Sequence, residues 1–296
     1  MDLRQLRYFV KVVEFGNVTR ASEGLHIAQP AVSQQIRNLE QEMGMQLLER
    51  SSHGVTATAA GKTLYRHAQA LLREADRTRE LLKLDADVPQ GKVSVGLPSS
   101  SSRMLAIPLA QRVVERYPGI SLELIEIPTA DMPGMIESGR IDLAIAADAV
   151  ESPGVSKVHL FSEDLHMVMW PECEWPFDAI SLSELARFPM ILPGFPNSIR
   201  TRVERALSQQ GLPFNILFEA SSITLLFAAV QAKLGVTVLP WNTTYSELEG
   251  RKLRFSRIEY PHFSREISLC WHSTRLASNA CAKIKEDILE LIGTRK

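Results

Sequence analysis

A few clusters in this sequence combine residue types and spacing that could do more than pack. In VTRASEGLHIAQPAVSQQIRNL, from Val18 to Leu39, the second half carries Gln29, Ser33, Gln34, Arg37 and Asn38 on one side of a helical period. Val32, Ile36, Leu39 and Met43 occupy the other side. Amide, hydroxyl and guanidinium groups without an acid match the base edges of a DNA major groove, where a carboxylate would repel the phosphates. An ordinary helical hairpin with a solvated polar face fits the stretch equally well when it is taken alone. Further on, Ser99, Ser100, Ser101 and Ser102 follow a strand and open a helix, setting four hydroxyls beside free N–H groups in a pattern suited to an anion. A single serine would suffice as a cap, so the surplus is what points to a ligand. Thr129 and the run Gly194-Phe195-Pro196-Asn197 hold the same position in the strand-to-helix rhythm, as do Ser221-Ser222 with Thr224. Arg200 and Arg202 either pair a ligand carboxylate or are surface cations.

Catalytic patterns are missing from the sequence. The serines lack a G-x-S-x-G elbow, and the histidines at 26, 53, 67, 159, 166, 262 and 272 have no metal-ligand spacing. No glycine-rich phosphate loop occurs, and Asp142, at the start of a strand, suits backbone orientation better than acid–base work. The expectation is a protein that is not an enzyme and needs neither a metal nor a cofactor. Three cysteines, Cys173, Cys270 and Cys281, without close spacing fit a reduced cytoplasm. Hydrophobic residues make up 45% and charged residues 23%, as in a soluble globular protein. No apolar run reaches the ~18 residues of a membrane span. The N-terminus mixes charges into its apolar positions, as an amphipathic helix does and an export signal does not. Net charge is −1, so a DNA-binding surface would have to concentrate its cations locally.

These residues must be positioned by regular elements. Leu3, Leu6, Phe9, Val10 and Val13 give a first helix over 3–15. Val18, Ala21 and Leu25 give a second, and Gln29-Pro30 restarts a third because proline suits a first helical turn. That is a helix-turn-helix, whose second helix enters the groove by its N-terminal end. Leu47–Arg50 and Val55–Ala57 read as a hairpin wing whose tip carries Arg50 and His53 toward phosphates or a minor groove. Thr58 caps a long helix reaching about Leu84, with Leu64, Ala68, Leu71, Ala75, Thr78 and Leu82 in a heptad seam. The seam serves either dimerisation or packing against the chain's own following domain. After the linker DADVPQG, strands and helices alternate. Strands over 92–97, 120–127 and 141–146 interleave with helices over 103–117 and 132–138. A second such unit starts near Asp164, and strand 265–271 and helix 277–292 close the chain. The pattern predicts two small α/β lobes with a ligand cleft between them, the chain crossing near residue 164 and returning near 266.

Together these features resemble the LysR-type transcriptional regulators over the whole chain. The likeness rests on LRQLRYFVKVVEFGNVTRASEGLHIAQPAVSQQIRNLEQEMGMQLLER with GVTATAAG, and on GLPSSSS, ESGRIDLAI and GVTVLP. HIAQPAVSQQ is most similar to the nitrogen-assimilation control branch. The resemblance implies α+β and α/β architecture: a winged helix-turn-helix over 1–58, a dimerisation linker helix and hinge over 59–91, and an effector domain over 92–296. That domain would be two-lobed like periplasmic binding proteins, with lobe I over 92–163 and 267–296 and lobe II over 164–266. It also implies a homodimer through the linker helix, a homotetramer on double-stranded promoter DNA, a small co-inducer and RNA polymerase as a further partner, with no membrane partner. Carried over, the DNA-facing residues are Gln29, Pro30, Ser33, Gln34, Arg37 and Asn38 with Arg50 and His53. The effector contacts carried over are Ser99, Ser100, Ser101, Thr129, Phe195, Pro196 and Asn197, to which the serines at the helix starts add Ser102 and Ser222, and they suit a small anionic metabolite. Gln34 stands where arginine is frequent in the family, His53 replaces a basic wing residue, and Ser22 replaces a common alanine. The alternatives are a small-molecule binding protein, which would need an export signal, and an effector-independent DNA-binding regulator.

Overall fold

The computed structural model describes residues 1–51, 54–81, 88–149, 151–175, 177–241, 253–259, 263–275 and 277–293. They form two compact units, one running from the N-terminus through a long helix, the other built chiefly from the chain beyond residue 88.

The N-terminal unit begins with α1 (Leu3–Phe15), α2 (Val18–Leu25) and α3 (Gln29–Met43). Asp2 accepts the Gln5 N–H at 2.7 Å while the Gln5 side chain accepts the Asp2 N–H at 3.0 Å, a reciprocal cap that closes the first turn. Asn17 accepts the N–H groups of Thr19 and Arg20 at the start of α2. The helices stop where Gly16, His26 and Gly44 turn left-handed, at φ 58°, 56° and 66°. Most of the apolar stripe read from the sequence is core: Leu6, Phe9, Val10, Ala21, Val32, Ile36 and Leu39 are buried, with Leu47 and Leu48 beneath them. Leu3 is exposed, Val13 is half-buried, and Val12 takes an inner position that the stripe did not include.

The wing is the antiparallel pair β1 (Leu48–Ser51) and β2 (Gly54–Ala57), with Leu48 opposite Ala57 and Ser51 opposite Gly54. Glu40 of α3 accepts the Leu47 and Leu48 N–H groups at 2.9 and 3.1 Å, so one carboxylate ties the wing to the helix. Gly54 lies at φ 128°, and a Cβ there would sit 2.6 Å from the Gly16 carbonyl oxygen. The expected wing residue His53 falls outside the described residues.

Helix α4 (Ala59–Leu81) is capped by Thr58, whose hydroxyl accepts the Gly61 N–H at 3.0 Å. Its heptad seam divides. Leu64 and Ala68 pack on Leu6 and Val10 of α1, whereas Leu71 and Thr78 are exposed. The first part of the seam therefore serves its own unit, a partner that the two sequence readings had not considered. Leu82 lies outside the described residues.

The C-terminal unit runs β3 (Gly91–Leu97), α5 (Ser99–Arg116), β4 (Ile120–Glu126), α6 (Met132–Glu137), β5 (Leu143–Ala147) and β6 (Val155–Met169). It continues with β7 (Ala179–Ser181), α7 (Leu182–Leu185), β8 (Pro189–Leu192), α8 (Ser198–Gln209), β9 (Asn215–Glu219) and α9 (Ile223–Gln231). The last elements are β10 (Thr237–Pro240), β11 (Arg254–Glu259), β12 (Ser264–His272) and α10 (Asn279–Gly293). Strand order is β4-β3-β5-β12-β6-β11-β7, with β10 also on β6. Parallel β8 and β9 stand apart, apart from a bridge between Met190 and Val236. One core gathers Val95, Leu109, Ile145, Leu269 and Ile284, and another gathers Met167, Ile191, Val203, Phe227 and Val238, giving two lobes.

The strand read as 165–170 is longer than its apolar run. Residues 155–164 of β6 pair with β12, and its last residues pair with β10 and β11, so a single strand passes through both lobes. Polar residues such as Ser156, Lys157 and His159 hid the first half. Helix α5 starts at Ser99 rather than Arg103, so the serine run read as opening a helix forms its whole first turn. The short elements β7, α7 and β11 were missed, although α7 had a local signal in the capping box of Ser181 and Glu184. Among the described residues no helix is long and apolar enough to cross a membrane.

Candidate nucleic-acid interface and effector cleft

On α3 the structure exposes Gln29, Pro30, Gln34 and Arg37 and half-buries Asn38. Ser33 differs from the expectation: it is 5% exposed, with its hydroxyl accepting from Gln29 Nε2 at 2.9 Å. It sits one residue from Val32 and on the edge of the buried stripe, so it holds Gln29 rather than facing outward. The outer side chains are linked: Arg37 Nη2 donates to Gln34 Oε1 at 2.7 Å, and Gln34 Nε2 donates to Asn38 Oδ1 at 2.9 Å. Gln34 thereby orients the guanidinium that an arginine at its own position would repel. Arg50 is exposed on β1. Arg20, exposed on α2, is a further cation that the sequence reading passed over because it lies before the reading helix.

In the C-terminal unit, Ser99, Ser100, Thr129, Phe195, Pro196 and Asn197 all line one cavity of about 540 Å³. These residues come from the start of α5, the segment after β4 and the segment before α8, the strand-to-helix positions expected for a ligand cleft. Ser101, Ser102 and Ser222 do not line it. The reason is helical geometry. Once Ser99 is the first residue of α5, Ser101 and Ser102 rotate away from the opening and are 3% and 7% exposed. Ser102 donates to the Ser99 carbonyl at 3.0 Å and also bonds the Glu126 carboxylate. Ser222 flanks α9 as its N-terminal cap residue, and its neighbour Ser221 reaches the cavity instead. Asn197 performs the capping role as well, accepting the Ile199 N–H at 2.9 Å.

Three charged residues of the cleft escaped the sequence reading: Arg265, Glu126 and Glu219. Arg265 is 2% exposed, donates from Nε to Glu163 at 2.6 Å and from Nη2 to the Ser100 hydroxyl at 2.6 Å. Glu163 is equally buried, and the two face each other on β6 and β12. This desolvated pair holds because Glu163 and the Ser100 hydroxyl together meet the Arg265 guanidinium. Its members lie on distant strands with no motif between them, so nothing in the sequence brings them together. Glu126 ends β4 and meets the first turn of α5, so the chain's own carboxylate sits where helix N–H groups favour negative charge. Arg200 is 6% exposed, paired with Glu204 and Glu219 and stacked 4.9 Å from the centre of the Phe195 ring. Arg202 pairs with Asp148 at 2.7 Å. Both arginines thus have internal partners.

The chain's likeness to known proteins follows the same division. Residues 3–62 match the family model described as bacterial regulatory helix-turn-helix protein, lysR family, and residues 86–291 match the LysR substrate binding domain. The nitrogen assimilation regulatory protein of Klebsiella aerogenes is 35% identical over 293 residues, covering 99% of this chain and 95% of the relative. A hydrogen peroxide-inducible genes activator from Pectobacterium carotovorum is 28% identical, covering 92% of this chain and 90% of the relative. Among solved structures, the LysR family regulator CbnR complexed with its target DNA superposes with a TM-score of 0.75 at 23% identity, covering 98% of this chain and 100% of that one. The chain belongs to the LysR family, DNA-binding transcription regulators with a C-terminal effector-binding domain.

Proposed function

We propose that α3 reads promoter DNA through Gln29, Pro30, Gln34, Arg37 and Asn38, with Ser33 positioning Gln29 and Arg50 and His53 on the wing contacting the backbone. The exposed first part of α3, from Gln29 to Asn38, with amides and a guanidinium and no acid, carries this reading. Dimerisation uses the part of α4 that its own unit leaves open, at Leu71 and Thr78, and two dimers form a tetramer that meets RNA polymerase at the promoter. The domains divide at 1–58, 59–91 and 92–296, and the protein works in the cytoplasm without catalysing a reaction. Titrating promoter DNA with wild-type and Arg37→Ala protein at several salt concentrations tests the reading face. Loss of one phosphate contact lowers the salt slope by about 0.9, and loss of one bidentate base contact costs about 1–3 kcal/mol. Unchanged affinity and slope would remove α3 from the interface.

The effector in this reading is a small anionic metabolite held by Ser99, Ser100, Thr129, Phe195, Pro196 and Asn197, with Ser101, Ser102 and Ser222 supporting the turns behind them. Its negative end lies at the first turn of α5, the position that the Glu126 carboxylate also approaches. A thermal-shift screen of carboxylates, sulfate and aromatic acids tests it, with Ser100→Ala abolishing the response.

The peroxide-responsive relatives suggest a thiol sensor as a second reading, but the chemistry of this chain disfavours it. Cys173, Cys270 and Cys281 are buried, and burial raises the Cys173 thiol and pushes Cys270 up to about 11. A buried thiol held protonated is a poor nucleophile toward an oxidant.

A further inference from the structure

A second cavity in the C-terminal unit, about 850 Å³, adjoins the effector cleft at Thr129, Pro196 and Ser198, which line both. Its chemistry differs from that of the cleft. The floor is apolar, made by Met132 and Ile136 of α6, Ala146 of β5 and Cys270 of β12, each no more than 3% exposed. The rim is cationic, made by Arg202 and Arg205 of α8.

Both cations have unused capacity. Arg205 is exposed and has no ion pair or hydrogen bond among the described residues. Arg202 gives Nη2 to Asp148, but its Nε is buried and has no hydrogen-bond partner among the described residues. A guanidinium N–H withdrawn from water and left unmet is unfavourable, and an incoming acceptor would relieve it. Among the described residues the one acid on the lining is Asp148, which is held at φ 51°, a region unfavourable to a residue with a Cβ. Two bonds to Glu266 fix it there: its N–H donates to the Glu266 carbonyl at 2.7 Å, and its carboxylate accepts the Glu266 N–H at 3.1 Å. Asp148 is thus committed to the backbone and to Arg202. Among the described residues two cations against one anion leave this lining positive, whereas in the cleft Glu163 meets Arg265 and Arg200 meets Glu219, which leaves Glu126.

We propose that this cavity is a second small-molecule site that takes an aromatic or branched-chain carboxylate. The apolar body lies on Met132, Ile136, Ala146 and Cys270, and the carboxylate bonds Arg205 and the Nε of Arg202. The volume is of the order that holds one small organic molecule, and a few polar groups over an apolar floor are what fix the orientation of such a ligand. Floor and rim belong to different lobes, so occupancy links α6 to α8. The site stands independently of the assignment of the cleft.

Isothermal titration of the full-length protein with 1-naphthoate as the probe tests this, with the neutral 1-naphthalenemethanol beside it. The expected result is binding of naphthoate in preference to the alcohol, weakened roughly tenfold or more by Arg205→Ala as a charge-assisted bond is lost. Ala149→Phe, which fills the cavity from its edge, abolishes binding, while Ser100→Ala leaves it unchanged. Circular-dichroism melts establish that each variant is folded, and should Ala149→Phe not fold, Arg205→Ala carries the test. No binding at millimolar naphthoate, equal binding of the alcohol, indifference to Arg205→Ala, or loss in Ser100→Ala would each overturn the proposal. The last outcome places the probe in the cleft, which upholds the cleft assignment and rejects this one.

Discussion

The polar face of α3 and the cleft lined by Ser99, Ser100 and Asn197 are the two surfaces we propose for recognition, yet they are built by opposite routes. The α3 face comes from one continuous helix. Its side chains are exposed, spaced by the helical period and bonded to neighbours three or four residues away, as Arg37 is to Gln34 and Gln34 to Asn38. The cleft gathers segments separated by more than a hundred residues, and its central cation is buried and bonded across the sheet to Glu163 and across the cleft floor to Ser100. A local surface tolerates the loss of one member, because its groups remain solvated. An assembled one does not, because each buried group depends on a partner from elsewhere in the chain.

This contrast can be broken most sharply at Arg265. Replacing it with methionine leaves the Glu163 carboxylate buried and unpaired, which should cost about 3–5 kcal/mol of stability. Replacing Glu163 with leucine as well should recover much of that loss, measured by denaturant unfolding, since well-packed apolar pairs often match a buried ion pair. A small loss in the single variant would mean that the cleft is as tolerant as the α3 face. Arg37→Ala should leave unfolding almost unchanged while weakening promoter binding by about 1–3 kcal/mol. Melting and anisotropy on the same preparation separate the two quantities, and a large drop in stability would show that this face is structural. Glu126→Gln removes the internal carboxylate at the first turn of α5, so anionic ligands should stabilise the variant more than the wild type in thermal shift. An equal or smaller shift would show that Glu126 does not compete with the ligand.

The smallest effect concerns pH. His166, packed against Trp241 and Phe255, has its pKa lowered from 6.5, chiefly because burial disfavours the imidazolium. The unfolded chain then binds the proton more readily than the folded one. His166 therefore makes stability fall as pH drops below about 6.5 toward the lower folded value, and contributes nothing to pH dependence above that window. His166→Phe should flatten this part of the profile of melting temperature against pH, and an unchanged slope would assign it to other groups.

How far each region was legible follows from the same contrast. The three N-terminal helices were read nearly to the residue, because the apolar period and the Gln29-Pro30 restart are local signals, although Leu3 proved exposed and Val12 buried. Ser33 was a further exception, since a small hydroxyl near the edge of a stripe fits either side. In the cleft, the strand-to-helix positions Ser99, Ser100, Thr129 and Phe195–Asn197 could be read from the rhythm of elements. Ser101, Ser102 and Ser222 could not be separated from them, because whether a serine faces a cavity depends on where its helix begins.

The sequence by itself determined the helix pair, the wing, the long capped helix and the alternation that yields two lobes. These depend on periodicity, capping and turn chemistry, which act over a few residues. Tertiary structure decided that Leu64 and Ala68 serve α1, that β6 runs through both lobes, and that Glu163, Arg265 and Ser100 meet in the cleft. It also decided that Arg202 and Arg205 overlook an apolar cavity. Desolvation and long-range pairing set those outcomes, and neither leaves a local signature in the order of residues.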